Sequence, residues 1–349
     1  MAELRTIAQS PTRKNELKSL QILRAIAAIS VVYYHINAIP NFGTFGVDIF
    51  FVLSGFVIAM VLANRQPAYL FALNRIIRIV PLYWTLTTLL LAIALIAPQL
   101  LNSTTANFYN YAKSLFFIPY FKENGTLRPV LAVGWSLNYE MFFYLCVWTS
   151  ILITKRHYLK LSCILVTLAY ALFGFYSENR VVSAFFSNAE ILEFLLGICA
   201  FKVHTSGYFS SLPKVIPAAI AIASYLFMII AETLIHNLNE LIVYGIPSFF
   251  LLLSMLNMEE VFSKSGNLAV DLFTSMGDAS YATYLSHYYI IEAMRKIIYQ
   301  KFDLINPYTP MGVLLILILS LLLGQLLYKF VDKPLLKFFK IRILPTTGR

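Results

Sequence analysis

The stretch SLQILRAIAAISVVYYHINA, residues 19–38, decides the class of fold. It is apolar over nearly its whole length and matches the ~20 residues that a helix needs to cross the hydrocarbon core of a bilayer. Yet it carries Arg24 and His35. An ionisable group inside such a run is costly, so it marks function or a partner that satisfies it. On an α-helix the eleven-residue spacing is about three turns, so both side chains leave nearly the same face, about 16 Å apart along the axis. Histidine is the side chain suited to take a proton from a hydroxyl near neutral pH. The competing reading of His35 is a hydrogen-bonded packing residue.

The rest of the chain repeats the first half of that message. Of 349 residues, 59% are hydrophobic and 13% charged, roughly half the charged fraction of a soluble domain. Apolar runs recur at 44–63, 76–97, 130–153, 158–176, 186–203, 214–233, 240–257, 278–296 and 310–331. The expected fold is an all-α integral membrane protein, a polytopic bundle of about ten transmembrane helices. Residues 1–18 are polar and basic, and the run behind them lacks an early cleavage site, so the first helix is expected to stay in the membrane. This gives a cytoplasmic segment over 1–18, a transmembrane domain over 19–331 and a basic cytoplasmic tail over 332–349 lying at the membrane surface. With the N-terminus inside, 19 Lys and Arg fall on the inner side, among them Arg5, Arg13, Lys14, Arg65 and Arg349, against seven outside. That bias favours both termini in the cytoplasm. It also assigns the net charge of +10 to orientation and to binding of an anion rather than to nucleic acid. Cys146, Cys163 and Cys199 sit in apolar runs without metal or redox spacing,.

Four further groups carry chemistry. Asp48, in FGVDIFFVLSGF, is expected at the depth of His35, where a carboxylate would orient the imidazole as in a catalytic dyad; the alternative is a cap on the helix start. Arg75 and Arg78, three residues apart before Pro81, share a face at an inner helix start and suit phosphates, unless they are only membrane anchors. GWSLNYEMFFYL, residues 134–145, brings Trp135, Ser136 and Glu140; a carboxylate near mid-membrane needs an arginine or a proton as partner. SYATYLSH, residues 280–287, puts Ser280, Tyr284 and His287 on one face, which either lines an interior cavity or bonds neighbouring helices. The loop 98–129, with Asn102, Ser103, Thr104 and Thr105, is either part of a polar acceptor site or a solvated connector.

Taken in order, Arg24-x10-His35, FGVDIFFVLSGF, the R-x-x-R-x-x-P stretch ending at Pro81, GWSLNYE, SYATYLSH and the basic tail with VDKP resemble the acyltransferase-3 family of bacterial membrane O-acyltransferases, and within it the exopolysaccharide-production acetyltransferases. The resemblance implies ten helices in the bacterial inner membrane, acetyl-CoA or another acyl-CoA as donor substrate with no permanently bound cofactor, and a glycan or lipid-linked sugar as acceptor. It implies His35 as the key base, Arg24, Arg75 and Arg78 as the donor-binding arginines, and Glu140 as the acidic member of the tryptophan–serine motif. Asp332 stands where many relatives have Glu. Some relatives carry an added esterase-like domain; its absence here implies transfer completed within the membrane part or by a separate partner. The expected site has His35, Asp48 and Glu140 as catalytic groups and Trp135, Ser136, Tyr284 and His287 as substrate contacts. Direct attack on the thioester and an acyl-histidine intermediate both remain open, as does homo-oligomerisation. A transporter or flippase of a lipid-linked sugar is the rival class, weakened by the lack of an inverted repeat.

Overall fold

A computed structural model describes residues 17–63, 66–101, 106–207, 209, 212–235 and 239–343. The calls on Arg5, Arg13, Lys14, Arg65, Asn102, Ser103, Thr104, Thr105 and Arg349 lie outside these residues. The helices, in chain order, are α1 (Lys18–Ile36), α2 (Gly46–Leu62), α3 (Ala68–Ile96), α4 (Phe108–Leu115), α5 (Trp135–Ile153), α6 (Tyr158–Tyr176), α7 (Arg180–Phe186), α8 (Glu193–Thr205), α9 (Val215–Leu234), α10 (Ile246–Asn257), α11 (Glu259–Lys264), α12 (Leu268–Asp278), α13 (Ser280–Glu292), α14 (Pro310–Leu327) and α15 (Lys333–Ile343). Wider π-helical turns precede α10 and follow α13 and α14. No strand occurs among the described residues beyond one isolated bridge, Phe121 to Leu127.

All ten apolar stretches are helical, but they are not equivalent. Among the described residues, six helical runs are long and apolar enough to cross a membrane. A seventh appears if the bent pair Arg180–Phe186 and Ala189–Thr205, which turns by 50°, counts as one span. Gly46–Leu62 and Leu241–Asn257 are shorter apolar helices. At a rise of 1.5 Å per residue, 17 residues reach about 26 Å, short of the ~30 Å core. The tail also differs from expectation. Rather than starting a separate segment at residue 332, the chain stays helical from Pro310 to Ile343.

The chain divides into two compact units. The first comprises 1–31, 42–66 and 192–280; the second comprises 32–41, 67–191 and 281–349. In the first, Leu23, Phe45, Val52, Phe56 and Leu252 form the centre of an apolar core. There α2 and α8 cross at almost bare backbone. A Cβ on Gly55 would lie 2.0 Å from the Phe194 carbonyl oxygen, and one on Gly197 would lie 2.0 Å from that of Val52. Small residues permit such approach, and in lipid close packing replaces the hydrophobic drive that water would supply. The start of α2 is capped from α9, where the Glu232 carboxylate accepts from the backbone N–H of Gly43 and Thr44 at 2.7 and 3.1 Å.

In the second unit, Val32, Ile36, Ile291, Met294 and Ile316 pack the end of α1 against α13 and α14. This places the last turn of the helix that opened the sequence beside the polar stripe of α13.

Enlarging the crossing tests it. Gly55→Leu is expected to lower stability by about 1–3 kcal/mol through overpacking, read as a reduced thermal midpoint in detergent. An unchanged midpoint would mean that α2 and α8 are not this close.

Candidate active site

The site in the second unit begins where α1 ends. Asn37 adopts a left-handed conformation, φ 59°, which asparagine tolerates and which closes a helix. His35 therefore sits in a last turn whose carbonyls have no helical donors of their own. Arg295 supplies them. Its Nη2 donates to the carbonyl oxygens of His35 at 3.1 Å and Ile36 at 2.7 Å. A cation at a helix C-terminus also meets the negative end of the helix dipole. Glu292, one turn earlier, holds the other arm of the guanidinium at 3.7 Å.

The imidazole of His35 meets that of His287. His35 Nδ1 and His287 Nε2 are 3.1 Å apart, with ring centroids 5.0 Å apart and tilted by 41°. His287 is fully buried, and its Nδ1 lies 3.2 Å from the Thr283 carbonyl oxygen. A carbonyl only accepts, so His287 carries a proton on Nδ1. In the neutral pair its Nε2 is then the acceptor, and His35 Nδ1–H must donate. That fixes the tautomer of His35 and makes Nε2 its basic nitrogen. Tyr288 closes over the pair, its ring 5.1 Å from that of His35 and 5.6 Å from that of His287.

The other expected site residues fall into three groups. Tyr284 and Ser136 are buried and satisfy each other. Tyr284 Oη donates to the Val133 carbonyl at 2.8 Å and lies 2.7 Å from Ser136 Oγ. These two hydroxyls join α13 to the start of α5, rather than standing open as substrate contacts. Trp135 is half-buried with the Arg128 guanidinium 4.5 Å over its ring.

The arginine pair divides. Arg78 is committed to Asp332, Nη1 to Oδ2 at 2.9 Å, and stacks 5.0 Å over the Tyr281 ring. Its charge is met inside the protein, because a buried carboxylate such as Asp332 is unfavourable without a cation,. Arg75 lies 5.9 Å over the Tyr144 ring, and its Nε is buried without a hydrogen-bond partner. The Tyr144 hydroxyl in turn donates to Glu140 Oε1. One partner of Glu140 is thus a phenol that also faces an arginine.

Arg24 and Asp48 belong to the first unit. Arg24 is half-buried on α1. Asp48 is buried against the Glu193 carboxyl, with Gly245 leaving the room that Glu193 occupies. Within the second unit, the imidazole of His35 has His287 as a hydrogen-bonding partner. Arg295 escaped sequence reading altogether. It counts there as one more charge outside the membrane, and nothing in the chain signals that its targets are backbone carbonyls.

The last turn of an apolar helix thus carries an imidazole that is hydrogen-bonded to a second imidazole. The chain belongs to the acyltransferase family: residues 17–329 match the domain described as Acyltransferase domain. It is 29% identical to the exopolysaccharide production protein ExoZ of Rhizobium meliloti (strain 1021), over 84% of this chain and 90% of that protein. It is 26% identical to the O-acetyltransferase OatA of Staphylococcus aureus (strain NCTC 8325 / PS 47), over 92% of this chain and 57% of that protein. With the peptidoglycan O-acetyltransferase OatA of Listeria monocytogenes it shares 32% identity over 41% of this chain and 25% of that protein. The chain thus spans most of the first relative, but only a quarter to just over half of the other two. No solved structure matches it. The enzyme class expected from the sequence, a membrane acyltransferase, is thereby established.

Two results are expected. Arg295→Ala should lower kcat by at least tenfold with little change in donor KM, and Arg295→Lys should recover part of the loss; an equal loss of kcat/KM in both variants, carried by a raised KM alone, would contradict the positioning role. For Arg78 and Asp332, a double-mutant cycle with Arg78→Gln and Asp332→Asn should give a coupling of about 1–3 kcal/mol in thermal unfolding; additivity would show that the ion pair does not form.

Proposed function

We propose that the protein transfers an acetyl group from acetyl-CoA to a hydroxyl of a cell-surface glycan or its lipid-linked precursor, from the bacterial inner membrane with both termini in the cytoplasm. The observation that carries this reading is the His35–His287 pair. His35 Nε2 removes the proton of the acceptor hydroxyl, and the oxygen attacks the thioester carbonyl. The bond from carbonyl carbon to sulfur breaks, and the imidazolium returns its proton to the departing thiolate. While His35 is charged, its Nδ1–H remains bonded to His287, which Thr283 holds in the accepting tautomer. General-base assistance of this kind is worth about 10²–10⁴-fold.

The donor end is assigned to Arg75. A buried guanidinium nitrogen without a partner is a costly feature unless a ligand completes it,, and a phosphate is its natural complement. Tyr144, held by Glu140, fixes the face that Arg75 rests on, so Glu140 acts by positioning. Trp135 provides an aromatic surface for the acceptor sugar. The reading gives Asp48 no step of its own. The names of the relatives support it: two are O-acetyltransferases, and the third serves exopolysaccharide production.

The test uses the purified chain in liposomes with labelled acetyl-CoA and glycan from the producing cell. Alkali-labile label on the glycan is expected. His35→Ala should reduce it by at least 10²-fold while the protein remains inserted, and His287→Ala should reduce it by about tenfold or more. Movement of unmodified glycan without label would favour the transporter class, and full activity in His35→Ala would reject the base.

A further inference from the structure

Next to the histidine pair, wholly within the second unit, lies a cavity of about 280 Å³. Its wall runs along α13 and the π-helical turn after it, from Tyr288 through Glu292 to Ile297, and includes Leu90 and Ile93 of α3 and Leu131 before α5. Eight of its eleven lining residues are aliphatic. The polar groups in the wall are largely spoken for: the Tyr289 hydroxyl donates to the Leu86 carbonyl at 2.6 Å, and the Glu292 carboxylate faces Arg295. A sugar needs converging hydrogen-bond partners, and this wall offers an aliphatic surface instead.

We propose that this cavity is an acyl-chain pocket and that the enzyme accepts donors longer than acetyl-CoA. The inference rests on the functional reading above. The argument is one of position. The Tyr288 ring lies 5.1 and 5.6 Å, centroid to centroid, from the two imidazoles and lines the cavity. For His35 to serve the attack, the thioester carbonyl must sit beside its ring, and the acyl chain leaves from that carbonyl. The chain then enters the cavity at Tyr288 and continues along the helix. From Tyr288 to Ile297 is about 13 Å by helical rise, and the volume is nearly twice the ~150 Å³ that holds a benzene in an engineered apolar cavity. That is room for a chain of roughly six to ten carbons, and far too little for a polyprenyl tail.

The experiment is a titration of the full chain in nanodiscs with acetyl-CoA and with octanoyl-CoA, blanked against empty nanodiscs. Octanoyl-CoA is expected to bind at least tenfold more tightly. Ala132→Phe and Ala293→Phe, each filling the cavity from a different wall, should cut that preference to within about twofold. Leu90→Ala, which enlarges it, should raise the affinity for decanoyl-CoA above that for octanoyl-CoA, so the proposal stays testable if a filled variant fails to fold. Equal affinity for both donors in the wild type, or a preference unmoved by all three substitutions, overturns the pocket while leaving acetyl transfer intact. Binding of neither donor overturns the pocket together with the donor assignment on which it rests.

Discussion

A hydrogen bond between two imidazoles, one on α1 and one on α13, organises the second unit. It is 3.1 Å long and has a direction, because the Thr283 carbonyl forces the outer nitrogen of His287 to be the donor. Everything around it serves that direction. The left-handed Asn37 stops α1 one residue after Ile36, the Arg295 guanidinium takes the carbonyls this leaves bare, and the Tyr284–Ser136 contact ties α13 to α5. A ring at the frayed end of a helix would ordinarily be the least ordered part of it. Here it is held from its backbone and from its own nitrogen.

The charges are handled by a similar division of labour. Two arginines three residues apart look equivalent, yet Arg78 completes an ion pair while Arg75 keeps a buried donor without a partner. One cation stabilises the fold, where Asp332 would otherwise be a buried lone carboxylate. The other rests over an aromatic ring with its Nε unsatisfied.

The sequence announces the parts whose cause is local. Length and hydropathy mark every apolar run as helical, and an ionisable group inside such a run exposes Arg24, His35 and Glu140 as exceptional. Parts whose cause is distant stay hidden. His287 is visible as a polar residue on a helical face, but its partner lies 252 positions away. Asp332 is 254 positions from Arg78, so the spacing of the Arg75–Arg78 pair is silent on which member meets a carboxylate of the chain itself. Hydropathy also cannot separate a full crossing from the 17-residue helices at 46–62 and 241–257, since these are mostly apolar too and differ in where the helix stops.

The measurement closest to the centre of this account is the protonation pattern of the two rings. In ¹⁵N-histidine-labelled protein, with His35→Gln and His287→Gln used for assignment, nitrogen spectra near neutral pH should show both rings protonated at Nδ1. They should also show coupling across the bond from His35 Nδ1 to His287 Nε2. A proton on His287 Nε2, or the absence of any coupling between the rings, would contradict it.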